Sequence, residues 1–167
     1  RVLLFEKHAD GSFLPPASYP RRAIATVTTH DLPTLKGYWS ASDIDLRQRL
    51  GLYPNEDVHR MVVEEREHDR RALLVALEAQ GLRPDGATEA PDTCTDELAH
   101  AIHVFLARST SALVVLQAED LIGMTDPVNV PGTSDEHANW QRKLSEDLEV
   151  TFARDSVRRT LREVQAA

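Results

Sequence analysis

The chain has 167 residues, of which 27 are Asp or Glu and 19 are Lys or Arg, for a formal net charge of -8. This acidic balance disfavours sequence-independent binding to nucleic acid or to an anionic membrane, because both require clustered Lys and Arg. The single cysteine, Cys94, excludes an intrachain disulfide framework and is typical of a reducing compartment. Fully apolar runs such as 112–116 are far shorter than the roughly 20 residues that cross a bilayer. A cytoplasmic location is therefore expected.

The first part of the chain contains two segments with strand-like composition. Residues 2–5 form a short apolar run that ends at a turn-rich stretch, which is typical of a strand covered on both faces. Residues 23–29 are small or β-branched and lack a helical repeat, so they predict a second strand. Because Pro33 prevents simple continuation of a ladder, His30 and Asp31 are expected at the carboxyl end of this strand or in the loop after it.

Helices are predicted for most of the remaining chain. Asn55 is a suitable N-cap for a long helix that ends at Gly81, and a capping pattern at 93–96 predicts the start of another. Between them, residues 83–93 carry prolines and a glycine and predict a surface loop. Residues 113–116 are the third strand candidate, and two helices are expected at the carboxyl terminus.

The alternation of strands and helices is typical of parallel βα units. Three strands cannot close a barrel, however, and a buried-type strand left at a sheet edge is an aggregation hazard. The pattern therefore predicts a helix-rich α/β fold with about three short parallel strands that is incomplete without a further sheet. Since the sequence starts at Arg1 with a strand already under way, we expect the chain to be part of a longer protein.

Two polar clusters follow predicted strands, which is where parallel α/β folds place their working residues. His30 and Asp31 follow the second strand, and an adjacent imidazole and carboxylate can bind hydroxyl groups or stabilise developing positive charge. The third strand leads into 117–120 and then a loop at 126–133, which proline and glycine stiffen and which suits a ligand-binding role. Each cluster also has an ordinary structural interpretation, as a turn cap or a solvated loop.

The longer strings around these clusters are more specific than the clusters themselves. Four of them carry the signal: TTHDLPTLKGYW at 28–39, QAEDLIGM at 117–124, DPVNVPGT at 126–133 and NWQRKL at 139–144. In sequence, order and spacing they resemble the amylomaltases, or disproportionating enzymes, a family of 4-α-glucanotransferases. The resemblance covers essentially the whole chain and matches only the C-terminal part of that family.

This resemblance implies a (β/α)8 TIM-type barrel. Residues 1–167 are expected to be the C-terminal segment of the catalytic barrel domain, with a helical insertion at about 41–108. The implied reaction is a retaining double displacement that transfers α-1,4-glucan segments between maltooligosaccharides, with no cofactor and no metal. The family's nucleophile and proton donor lie upstream. The chain alone is therefore expected to be inactive without the missing N-terminal part of the same enzyme.

The same resemblance assigns expected roles to individual residues. The family's third carboxylate falls on Asp31, which is expected to stabilise the transition state, and His30 is expected to contact the same sugar. Asp126 and Asn129 are candidates for substrate binding. Glu119 lies in a string that looks like the one carrying the family's acid/base glutamate, but its position matches a later, non-catalytic copy. We therefore expect Glu119 to bond to backbone or to an arginine.

Two other functions compete with this interpretation. Metal-dependent phosphohydrolases of the HD type use a His-Asp pair as metal ligands on a helix, whereas Pro33 and the β-branched residues before His30 disfavour a helical setting. A non-catalytic, mostly helical interaction domain is the other alternative. His100 and His103 have helical i,i+3 spacing, but no third ligand is suitably placed, so no metal site is expected.

Overall fold

The computed structural model describes residues 1–85 and 89–167, in which two short parallel strands pair beside a layer of helices. Strand β1 is Ile24–Thr26 and strand β2 is Leu113–Val115. The two strands pair in parallel, with Ala25 opposite Val114. Both lie within the segments predicted from their β-branched composition, so these two predictions are confirmed.

The prediction of a strand at 2–5 is wrong. Leu3–Phe5 is a 3-10 helix, and only Val2 forms an isolated parallel bridge, to Thr26. Leu3 and Leu4 are buried, so the apolar run does mark a buried segment. Four apolar residues are too few to distinguish a strand from a helical turn by periodicity. The described residues therefore contain two parallel strands rather than about three.

Seven α-helices are present in the described part of the chain, and a second 3-10 helix covers Pro16–Ser18. The long helix is capped as predicted: the Asn55 side chain accepts a hydrogen bond from the Val58 amide at 2.9 Å. The helices are α1 Leu35–Trp39, α2 Ser42–Arg49, α3 Glu56–Ala79, α4 Asp96–Ala107, α5 Ala118–Ile122, α6 Leu148–Ala153 and α7 Asp155–Ala166. Of the predicted loop at 83–93, residues 86–88 lie outside the described residues.

The hydrophobic core lies between one face of the sheet and helices α3 and α4. Ala25 of β1 is fully buried against it, and Trp39 at the end of α1 is also fully buried, with its indole N–H donating to the Pro91 carbonyl at 2.8 Å. Leu73 and Leu77 of α3 belong to the same cluster. The apolar residues of α3 therefore face the core, as expected for an amphipathic helix.

The opposite face of the sheet is exposed and apolar. Ile24 and Leu113, which are paired in register, are 53% and 60% exposed, and Val115 is 47% exposed. Strands of parallel sheets are normally covered on both faces. Exposed apolar side chains grouped on one face of a sheet are typical of a surface that another structural element covers.

No helix among residues 1–85 and 89–167 combines the length and the apolar character needed to cross a membrane.

The Asn55 cap predicts a measurable stability change. Asn55→Ala removes the acceptor for the Val58 amide, and the loss of such a cap costs about 1 kcal/mol. Asn55→Asp keeps an acceptor oxygen at the same place and should retain most of the stability. Chemical denaturation of the three proteins tests this, and equal losses for Ala and Asp would contradict the capping role.

Candidate functional site

His30 and Asp31 lie in the loop that joins β1 to α1, which is where the sequence placed them. The Leu32 amide donates to the Thr29 carbonyl at 3.0 Å, so the chain turns sharply around the pair. Thr34 then caps α1 by accepting from the Gly37 amide. The pair is therefore held on a short turn between a strand and a helix, not on a helix.

The Asp31 carboxylate is held on two sides and open on the others. Its Oδ1 accepts a hydrogen bond from Asn129 Nδ2 at 2.6 Å, and its Oδ2 lies 3.3 Å from His30 Nε2. The side chains of His30 and Asp31 are 59% and 52% exposed. No arginine of the described residues pairs with Asp31, so the carboxylate retains acceptor sites that are directed to solvent. Such a group can receive hydrogen bonds from a ligand's hydroxyl groups.

A second carboxylate, Asp120, is buried beneath this loop and binds both of its ends. Asp120 Oδ1 accepts from the Leu35 amide at 2.7 Å, and Oδ2 accepts from the Thr28 hydroxyl at 3.0 Å. The Thr28 hydroxyl in turn accepts a hydrogen bond from Gln117 Nε2. Asp120 therefore joins Thr28, before the His-Asp turn, to Leu35 at the start of α1, and this brace fixes where Asp31 can lie.

Burial also changes the acid–base behaviour of Asp120. Loss of hydration raises the pKa of its carboxyl from the ordinary 3.8 to about 6, against the opposing effect of the hydrogen bonds from Leu35 and Thr28. Sequence reasoning assigned no role to Asp120. The available signal was its position: it is an acidic residue in the first turn of a helix that directly follows a strand.

Glu119 has a different environment from that of its neighbour. Its Oε1 lies 3.4 Å from Arg142 Nη2, and both side chains are largely buried. Of the two expected partners for Glu119, backbone or an arginine, the structure shows the arginine. Arg142 belongs to the NWQRKL string, so the ion pair also ties that string to α5.

The loop after α5 forms the second wall of the site. Asn129 reaches Asp31, whereas Asp126 is exposed and makes no side-chain hydrogen bond to the described residues. Asn139 braces the loop internally: its Oδ1 accepts from the Val130 amide at 2.8 Å and its Nδ2 donates to Thr133 Oγ1 at 2.8 Å. Of the two loop residues predicted to bind substrate, the structure brings only Asn129 to the His-Asp pair.

A cavity of about 400 Å³ extends from Asp31 toward α2 and α3. Its polar wall contains a buried ion pair in which Arg66 donates to both carboxylate oxygens of Asp43, at 2.6 and 2.9 Å. Tyr38 lies under the Arg66 guanidinium, and its hydroxyl donates to Asp69 at 2.6 Å. Burial and the bond to Asp69 raise the pKa of Tyr38, so the phenol stays protonated. The volume is within the range of small-ligand sites.

The two histidines of α4 are not brought to this site. His100 lies within hydrogen-bond distance of Thr160 and Glu163 on α7, and burial lowers the pKa of His103 to about 4, which keeps it neutral. Among residues 1–85 and 89–167, no three His, Cys, Asp or Glu side chains form a group that could hold a metal ion. Cys94 is buried, and burial raises its pKa to about 12.

Comparison with known proteins identifies the family to which the chain belongs. A family model described as 4-alpha-glucanotransferase matches residues 1–149. The chain belongs to the 4-alpha-glucanotransferase family. Members similar to it include the 4-alpha-glucanotransferase of Haemophilus influenzae, which is 33% identical over 161 residues, covering 93% of this chain and 22% of that protein. The enzyme of the same name from Mycobacterium bovis is 34% identical over 148 residues, covering 86% and 20%.

A solved structure from the 4-alpha-glucanotransferase family agrees with the fold. The crystal structure of amylomaltase from Corynebacterium glutamicum superposes with a TM-score of 0.80 at 25% identity, covering 98% of this chain and 25% of that one. The chain thus spans about a fifth of the curated relatives named above and a quarter of the amylomaltase. Membership of this family, together with a His-Asp pair on a turn, favours neither the HD phosphohydrolase nor the helical interaction domain.

The raised pKa of the buried Asp120 carboxyl predicts that the stability of the protein depends on pH. A carboxyl whose pKa is higher in the folded protein than in the unfolded chain binds its proton more tightly when folded, so its contribution is full below about 3.8 and is lost as pH rises through about 6. Relative to Asp120→Asn, which does not titrate, the wild-type protein should lose up to about 3 kcal/mol of unfolding free energy over that interval.

Denaturation series between pH 4 and pH 7 measure this difference. Asp126→Asn replaces an exposed carboxylate of the neighbouring loop and is the matched control, so its series should run parallel to the wild type. A wild-type minus Asp120→Asn difference that is constant with pH would contradict the raised pKa.

Proposed function

We propose that the complete protein is a 4-α-glucanotransferase that moves α-1,4-glucan segments between maltooligosaccharides, and that this chain supplies the last strands and helices of its catalytic barrel. The observation that carries the proposal is the half-exposed Asp31 carboxylate, held by Asn129 beside His30 at the carboxyl end of β1. The family match and the similarity of the chain to amylomaltase support it. In barrels of parallel strands, active sites lie at that end of the strands.

The chemistry follows from what a fixed carboxylate does next to a reacting sugar. A retaining transfer uses two carboxyl groups about 5–5.5 Å apart, one as nucleophile and one as acid and base, and passes through an oxocarbenium-like transition state. We assign neither of those roles within this chain. Asp31 would be a third carboxylate, which binds sugar hydroxyls and stabilises the positive charge of the transition state. Because Asn129 and His30 hold Asp31 in place, this stabilisation requires little reorganisation.

The remaining residues and regions have proposed roles around this carboxylate. His30 and Asn129 would contact the same glucosyl unit, and Asp126 would face sugars further along the loop. The exposed apolar face of the sheet would pack inside the barrel against upstream strands, and residues 41–108 would be a helical insertion beside the site. This arrangement accounts for two open surfaces that the chain leaves uncovered, one apolar and one polar.

Replacing Asp31 tests the proposed role directly. In the complete protein, Asp31→Asn keeps an acceptor for Asn129 but removes the negative charge, so kcat for disproportionation of maltotriose should fall at least about a hundredfold. The unfolding midpoint should not change. Asp45→Asn, at an exposed position on α2, is the control and should transfer normally. Near-normal turnover by Asp31→Asn would exclude the assignment.

The division of roles along the chain gives a second test. Residues 1–167 alone should form no transfer products from maltotriose, because the proposed nucleophile and proton donor are outside them. Chromatography of the sugars after long incubation measures this, with the complete protein as the positive control. Glucan transfer by the 167-residue chain would show that these two groups lie within it.

A further inference from the structure

The two tryptophans of the chain have opposite environments. Trp39 is completely buried in the core, whereas Trp140 is 61% exposed. Trp140 also has φ +63°, in the left-handed region that bulky side chains rarely adopt. Trp140 therefore costs free energy twice, once for a backbone conformation that bulky residues disfavour and once for an apolar ring in contact with solvent. Such combinations persist where the surrounding structure enforces them, and they occur most often at ligand-binding sites.

The structure holds Trp140 in this conformation from two directions. Its amide donates to the Val128 carbonyl at 2.9 Å, which closes the loop that carries Asn129. The preceding residue, Asn139, is fixed by its bonds to Val130 and Thr133. The position of the indole is therefore set by the same loop that delivers Asn129 to Asp31.

The indole ring lies beside the His-Asp pair. The centroids of the Trp140 and His30 rings are 5.2 Å apart, and their planes are inclined at 49°. Other exposed aromatic side chains, such as Phe5 and Phe152, have no ring contact with this pair. Trp140 thus adds an apolar surface next to a cluster whose other members, His30, Asp31 and Asn129, are all polar.

We propose that Trp140 is a stacking platform for a glucosyl ring of the glucan that binds at Asp31. This inference rests on the function proposed above. A pyranose ring has an apolar face of C–H groups and an equatorial rim of hydroxyls, so it needs an aromatic surface on one side and hydrogen-bonding groups at its edge. Trp140 supplies the first, and His30, Asp31 and Asn129 supply the second.

Stacking on the apolar C–H face of the ring does not involve the charge that develops in the transition state, so we expect it to stabilise the bound substrate and the transition state about equally. Such an interaction affects KM and leaves kcat nearly unchanged. In the complete protein, Trp140→Ala should therefore raise the KM for maltooligosaccharides about tenfold, with kcat within about twofold of the wild type. Trp140→Phe retains an aromatic face and should recover most of the affinity. Phe152→Ala, which removes an exposed aromatic side chain on α6, should change neither constant.

A second measurement removes turnover from the readout. Calorimetric titration of maltoheptaose into Asp31→Asn and into the Asp31→Asn, Trp140→Ala double variant should show about tenfold weaker binding for the double variant. Unchanged KM and unchanged Kd on removal of the indole would overturn the proposal. So would a lowered unfolding midpoint together with lost kcat that Phe does not restore, because that pattern indicates packing against another part of the protein.

The wild-type protein separates this inference from the function on which it rests. A wild type that transfers no glucan and binds no maltoheptaose overturns the proposed function, and the stacking role with it. A wild type that is active, with Asp31→Asn inactive and Trp140→Ala kinetically normal, overturns the stacking role alone.

Discussion

The arrangement of the candidate site depends on one buried carboxylate. Asp120 has two partners, the Thr28 hydroxyl and the Leu35 amide, and these stand on either side of the turn that carries His30 and Asp31. Leaving a buried amide or carboxylate without a hydrogen-bond partner costs free energy. The Asp120 carboxylate, the Thr28 hydroxyl and the Leu35 amide therefore hold one another in a single arrangement. The exposed turn that carries His30 and Asp31 has few hydrogen bonds of its own, and the buried Asp120 beneath it fixes its position.

The same region joins the two loops that form the site. Thr34 donates its hydroxyl to the Met124 carbonyl at 2.6 Å, so the start of α1 is tied to the end of α5. Gly37 of α1 lies against Thr125, the residue that follows Met124. A Cβ at position 37 would be 2.5 Å from the Thr125 carbonyl oxygen. The loop that carries Asn129 therefore leaves α5 from a fixed point, which explains how a residue 98 positions away in sequence reaches Asp31.

The sequence predicted those parts of the molecule that depend on local chemistry. Strands β1 and β2 follow from their β-branched residues, and the Asn55 cap follows from a side chain that bonds its own helix. The run at 2–5 was assigned wrongly because four apolar residues report burial but not the backbone conformation. The roles of Asp120 and Trp140 depend on partners that are distant in sequence or on a backbone angle, which no local pattern contains.

The proposed barrel gives the two uncovered surfaces of the chain one physical explanation. Strands of parallel sheets normally bury both faces, yet Ile24, Leu113 and Val115 are exposed, which fits the proposal that this face packs against upstream strands of a barrel. His30 and Asp31 follow β1 in the loop at its carboxyl end. Polar groups at that end are open to ligand because the strand has ended, whereas under the same proposal the apolar groups below are covered in the complete protein. On this proposal the polar opening is a property of the fold, and the apolar opening accords with a chain that spans about a fifth of the length of the relatives named above.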